Sequence, residues 1–179
     1  MKGGIMKRYF LMEQDRGIRN CIGLKRFDIK GPKKVFKKED AFRLKDTTVL
    51  YLAEDSGEIA PDFIQSPVSM VSDMAKKILY MYEESLIFKR IVMIHKEQAS
   101  QLLYYHVLFE EIEALAPDIS RYPDGTEKKL QVSTQKICDY KVFMLKDSRR
   151  KVPVISLEVA ESLLRRNLTG VQLTEIEVI

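Results

Sequence analysis

The side chains able to do chemistry are few and scattered. There are two histidines, His95 and His106, and two cysteines, Cys21 and Cys138. The histidines lack the close pairing that a metal site built on one helix face requires. The cysteines lack the paired short spacing of a zinc site, and two cysteines do not make a disulfide framework, so reduced thiols are expected. His106 beside Tyr105, and Asp139 beside Tyr140, are the pairs with acid–base potential if a cleft gathers partners around them. Tyr104, Tyr105 and His106 are consecutive, so on a strand two face one side and one the other, and no cluster can use all three. P-loop, nucleophile-elbow, HExxH and dinucleotide fingerprints are missing. The expectation is a protein that is not an enzyme, with no catalytic residues, metal ligands or cofactor.

Charge offers a different chemistry, that of binding. The formal charge is +4, but residues 1–45 hold fourteen Lys and Arg against five Asp and Glu, whereas the remainder is acidic, with sixteen against twenty-one. Such polarity can steer a partner and raise its encounter rate. Lys33, Lys34, Lys37 and Lys38 surround Phe36, and lysines neutralise phosphates while a ring can stack on a base. Helix-turn-helix spacing, zinc ligands and RNA-binding aromatic motifs do not accompany them, so a solvated charge run stands beside the nucleic-acid reading as the plainer one.

The elements that position these residues follow from periodicity. Ile5 to Met12 reads as a first strand with Glu13 to Gly17 as its turn, and Arg16 to Lys38 as a long basic loop or weak edge hairpin. Glu39 to Leu44 suggests one turn of helix, Thr47 to Ala53 a core strand, and Glu54 to Pro61 an acidic loop. Ser72 caps a helix running to about Glu83, with Met74, Ala75, Ile78, Leu79, Met81 and Tyr82 on its inner arc. Its methionines fit core packing better than an adaptable binding groove. Phe88 to His95 and Gln101 to Phe109 flank a polar connection and read as an antiparallel hairpin. Leu130 to Val132 and Ile137 to Leu145 read as strands, and Lys146 to Lys151 as a polar turn.

The last residues, from Val152 to Ile179, read as strand, helix, strand. Ser156 is placed to cap the helix. Leu157, Ala160, Leu163, Leu164 and Leu168 share its inner arc with Val159 at the margin, opposite Glu158, Glu161, Ser162, Arg165 and Arg166. Glu158 and the two arginines suit the helix dipole, Glu161 and Arg165 are spaced as a solvated i,i+4 pair, and Asn167 with Gly170 can end the helix. In the final strand the apolar phase shifts from Val171 and Leu173 to Ile176 and Val178. A one-residue bulge near Thr174 or Glu175 would keep both pairs inward.

The segment VISLEVAESLLRRNLTGVQL resembles the C-terminal signature of a bacterial family once filed as of unknown function and later classed as immunity proteins of polymorphic toxin systems. Further likenesses are the N-terminal strand with its acidic and polar turn (Tyr9 to Asp15), the Ser-capped central helix (Ser72 to Glu83) and the aromatic strand Leu103 to His106. Ser156, Glu161, Leu164, Arg165, Arg166 and Gly170 are the residues of that signature, and their expected role is structural. The resemblance implies a protein that binds a cognate toxin stoichiometrically and occludes its site. A chain of net +4 does not suit a strongly basic toxin.

At 179 residues, 45% apolar and 31% charged, the chain fits a single globular domain that can divide into two lobes. Runs of strands rather than strict alternation with helices indicate an α+β fold, mostly antiparallel, with two main amphipathic helices segregated to one face. Met1 to Met6 lacks the apolar core of a secretory signal and no stretch approaches the roughly 18 apolar residues of a membrane span, so a cytoplasmic location is expected. Candidate partner-binding residues are Arg16, Arg19, Lys33, Lys34, Phe36, Lys37 and Lys38 of the basic segment, and Glu54, Asp55 and Glu58 of the acidic loop. The alternative to the immunity function is a nucleic-acid-binding or regulatory module using the basic N-terminal region.

Overall fold

The computed structural model describes residues 7–25, 37–137 and 139–179. Its architecture is α+β, built on two mixed sheets. The first sheet takes its strands from both ends of the chain. It comprises β1 (Tyr9–Gln14), β7 (Glu111–Ile112), β8 (Gln131–Val132), β9 (Val142–Leu145), β10 (Pro153–Ser156) and β11 (Val171–Val178), in the order β7-β9-β10-β1-β11-β8. The second comprises β2 (Thr47–Tyr51), β3 (Phe63–Ile64), β4 (Met70–Ser72), β5 (Ile87–His95) and β6 (Ser100–Leu108), in the order β2-β5-β6-β4-β3. Interior pairings are antiparallel, and the parallel ones lie at sheet edges: β7 on β9, β8 on β11 and β2 on β5.

The expected hairpin is β5 and β6, paired from Ile87 with Leu108 to His95 with Ser100 and turned by a shorter connection than expected, with Ala99 at positive φ. The expected central helix is α1 (Asp73–Tyr82), whose N-cap Ser72 accepts a hydrogen bond from the Ala75 amide. Ala75, Ile78 and Leu79 are buried, whereas Met74 and Met81 are exposed, so the buried arc is narrower than the sequence pattern suggests and the methionines are not core. A 3-10 turn at Lys38–Arg43 stands where a turn of helix was expected. α2 (Thr134–Ile137) occupies the start of the stretch read as a strand from Ile137, and only Val142–Leu145 is extended there.

The C-terminal strand, helix and strand are β10, α3 (Leu157–Arg165) and β11, with two corrections inside them. The buried residues of α3 are Val159, Ala160, Ser162 and Leu163, while Leu164 is exposed. The buried stripe is thus rotated, because α3 packs between β10 and α1 and not against one flat surface. Ser156 stands at the N-cap position, but its hydroxyl makes no cap bond; it is buried with no hydrogen-bond partner.

No bulge interrupts β11. Its ladder with β1 runs unbroken from Tyr9 with Ile176 to Gln14 with Val171. The shift in apolar phase has another cause: both faces of this sheet are covered. On one face Phe10, Met12, Val142, Ile155, Val171 and Leu173 join the main core with α1 and α3. On the other, Tyr9, Leu11, Phe143, Val154, Ile176 and Val178 meet Leu115, Leu130 and Ile137 from the segment between β7 and β9. A strand buried first on one side and then on the other needs no extra residue to change phase.

The main core also takes Phe63, Val71, Tyr105 and Val107 from the second sheet, so one apolar cluster spans both sheets. A polar knot beside it ties them. Asp62 accepts from the Ser72 hydroxyl (2.6 Å) and from the Thr169 amide (2.7 Å), and its own amide donates to the Thr169 carbonyl (2.8 Å). Gly170 follows at φ 75°, and a Cβ added there would overlap Pro61. Glycine is therefore required on two counts, backbone sign and close approach. Asn167, at φ 51°, and Gly170 together turn the chain out of α3, as expected.

Candidate functional site

The residues with acid–base potential are not gathered together. Tyr105 points to the main core under the ammonium of Lys76, 4.0 Å from its ring centre. His106 faces the opposite side of the sheet, in register with Met70 and Lys89. Burial pushes its pKa down to about 4, so it is a neutral core imidazole at pH 7. Tyr104 is also buried there; its hydroxyl donates to the Pro61 carbonyl at 2.7 Å, and desolvation raises its pKa. His95 accepts a bond from the Gln98 amide at Nδ1 (3.3 Å) in the hairpin turn. Asp139 and Tyr140 follow α2 on the far face of the other sheet, where the Tyr9 hydroxyl donates to the carbonyls of Ile137 and Tyr140. Among the described residues no group of three or more His, Cys, Asp or Glu is placed to hold a metal ion.

Among the described residues one carboxylate is fully buried. Burial alone would raise the pKa of Glu127, but its own amide, the Arg149 amide, the Ser148 hydroxyl and Arg121 together outweigh that and hold it below the usual range. Arg121 donates to it at 2.5 Å, Ser148 at 3.2 Å and the Arg149 amide at 3.1 Å. The Ser148 and Arg149 bonds fasten the 116–130 segment to the turn before β10, and the Arg121 bond closes that segment on itself, so this group is structural.

The expected partner-binding residues fall into three situations. Lys33, Lys34 and Phe36 lie outside the described residues, as does Cys138. Lys37 precedes the 3-10 turn and is exposed, whereas Lys38 donates to Glu110 at 2.8 Å in a half-buried ion pair. Arg16 and Arg19 are exposed after β1, and Glu54, Asp55 and Glu58 occupy the loop after β2. These last two segments are clasped together: the Ile22 amide donates to the Ile59 carbonyl, Ile59 to Asn20, Gly57 to Cys21 and Ala53 to Gly23. Lys25 bridges to Glu54 at 3.2 Å. Residues 16–25 of the basic segment and the acidic loop thus form one ledge, beneath which Ile22 and Leu24 cover the outer core of the second sheet. Ser156, Glu161, Leu164, Arg165, Arg166 and Gly170 sit in the C-terminal unit, with Glu161 and Arg165 in an exposed pair at 3.4 Å and Arg166 capping α3.

Sequence reasoning missed the feature beside that ledge. β2 was expected in the core, but it is the edge of its sheet, and of its five residues only Leu50 is buried. On the other side of the strand Val49 pairs across to Val92 and on to Leu103, while Tyr51 pairs to Ile94 and on to Gln101. This is the same face as Tyr105 and Val71, one step further out. Helix α1 packs over β4 and β6 and stops short of it. Val49 is therefore 48% exposed, Tyr51 43% and Leu103 44%, a continuous apolar row in water. Arg90, in register with Thr47 and Tyr105, stands exposed at one border of the row. Lys96 lies over the Tyr51 ring at the other, 4.5 Å from its centre. A recess of about 190 Å³, lined by residues including Lys25, Tyr51, Glu54, His95 and Lys96, joins face and ledge. The signal in the sequence was Arg90, which breaks the run Ile87 to His95 in phase with Val92 and Ile94.

No known protein-family model matches the sequence, and no curated protein matches it.

Proposed function

We propose that this chain is an immunity protein of a bacterial polymorphic toxin system, acting in the cytoplasm by binding a cognate toxin and covering its functional surface. The resemblance of the C-terminal segment supports the family, and the structural roles of Gly170, Arg166 and Glu161 are compatible with a signature that maintains the fold. The observation that carries the reading is the uncovered row of Val49, Val92 and Leu103, with Tyr51, on the second sheet. Surfaces of this kind, apolar and aromatic at the centre and bordered by polar groups, are how proteins hold other proteins. The described residues lend less to a nucleic-acid module, because Lys38 is already engaged by Glu110.

The test is coexpression with the toxin expected to be encoded by the adjacent gene. Rescue of growth and copurification of the two chains are expected. Continued killing with no complex would overturn the proposal.

A further inference from the structure

We infer that the outer face of the second sheet, Val49, Tyr51, Val92 and Leu103 bordered by Arg90 and Lys96, docks a protein partner whose contact surface is acidic around an apolar centre. The inference deepens the immunity reading and rests on it for the partner's identity.

Charge decides the partner's chemistry. The Arg90 backbone amide donates to the Asp46 carbonyl, but its guanidinium makes no hydrogen bond or ion pair with the described residues, and Lys96 and Lys76 rest on aromatic rings. Carboxylates close to the face are already engaged: Lys77 holds Asp73 at 2.6 Å and Lys25 holds Glu54 at 3.2 Å. Glu97, in the hairpin turn next to Lys96, is the acidic group at the margin. The described border, Arg90 and Lys96 against Glu97, is therefore net positive around apolar surface. A second copy is a poor occupant. A two-fold contact places the same patch on both sides, so Arg90 and Lys96 would confront their own kind across a desolvated interface. A partner bringing Asp or Glu to the border and apolar side chains to the centre satisfies both.

The experiment measures binding of the adjacent-gene toxin domain to the full chain and to three exposed-site variants, each first checked for an unchanged thermal transition. Arg90→Glu with Lys96→Glu is expected to weaken binding tenfold or more, chiefly through a slower association rate, and to reduce its salt dependence. Leu103→Ser is expected to weaken it through faster dissociation, and Lys136→Glu, exposed on α2 away from this face, to leave it near wild type. Equal binding by all variants would overturn the docking face while leaving the immunity reading standing. If the wild-type chain fails to bind the toxin, the immunity reading falls, and the face is judged by bis-ANS, an anionic apolar dye. Fluorescence lost in both the charge-reversal and Leu103→Ser variants supports an anionic apolar ligand, and unchanged fluorescence overturns it. A wild-type dimer in sedimentation velocity that Leu103→Ser dissolves would assign the face to a second copy and also overturn the inference.

Discussion

Replacing Asp62 by alanine tests how the two sheets are held together. The carboxylate accepts from the Ser72 hydroxyl at 2.6 Å, from the Thr169 amide at 2.7 Å and from the Thr169 hydroxyl at 3.3 Å. Ser72 ends β4 of the second sheet and caps α1, while Thr169 leads into β11 of the first. Hydrogen bonds to a charged acceptor are worth roughly 1.5–3 kcal/mol each when shielded, and the Thr169 side of this site is exposed, which brings the expected loss to about 2–3 kcal/mol. That is a substantial share of a total stability of about 5–15 kcal/mol, equivalent to roughly 4–12 °C in Tm for a chain of this size. Ser72→Ala alone removes the cap and should cost about 1 kcal/mol. Because the two side chains touch, the double variant should lose less than the sum by roughly 0.5–1 kcal/mol. Urea denaturation of the four proteins measures all of this. An Asp62→Ala chain within about 0.5 kcal/mol of wild type, or strict additivity with Ser72→Ala, would refute the account of the knot.

Three further outcomes follow from single sites. Ser156→Ala should leave stability unchanged or raise it by up to about 1 kcal/mol, since it removes a buried hydroxyl without a partner, and a denaturation midpoint lower than wild type would contradict this. Gly170→Ala should cost at least about 2 kcal/mol, from the left-handed backbone and the overlap with Pro61, again read in urea. His106, at a folded pKa of about 4 against an ordinary 6.5, is protonated first in the unfolded chain. Its contribution is full above pH 6.5 and is lost as pH falls towards 4, so His106→Gln should remove about 2–3 kcal/mol of the decline in stability between pH 7 and 4.5. An unchanged decline in that variant would contradict the assignment.

Local chemistry was legible where it agreed with a single covered face. α1 was readable because Ser72 and the Ala75, Ile78 and Leu79 spacing act within two helix turns. The hairpin of β5 and β6 was readable because a polar connection joins two apolar runs. The phase shift in β11 was misread as a bulge because one buried face was assumed, whereas Leu173 and Ile176 serve different clusters. α3 was rotated in the same way by neighbours that periodicity does not identify, and Ser156 met the cap pattern without making the bond. β7 escaped notice because two residues of parallel edge carry no alternation. The candidate face was hidden for a related reason. Val49, Val92 and Leu103 have the composition of core, and only the reach of α1 over the sheet decides which apolar residues stay wet.

The proposed function holds that this chain neutralises a toxin by occupying it, one molecule to one. Titrating the purified chain into the adjacent-gene toxin while following toxin activity tests it most directly. The account predicts a linear fall to zero at one equivalent. Full activity in the presence of excess chain, or complete loss at a small fraction of an equivalent as turnover would produce, would contradict it.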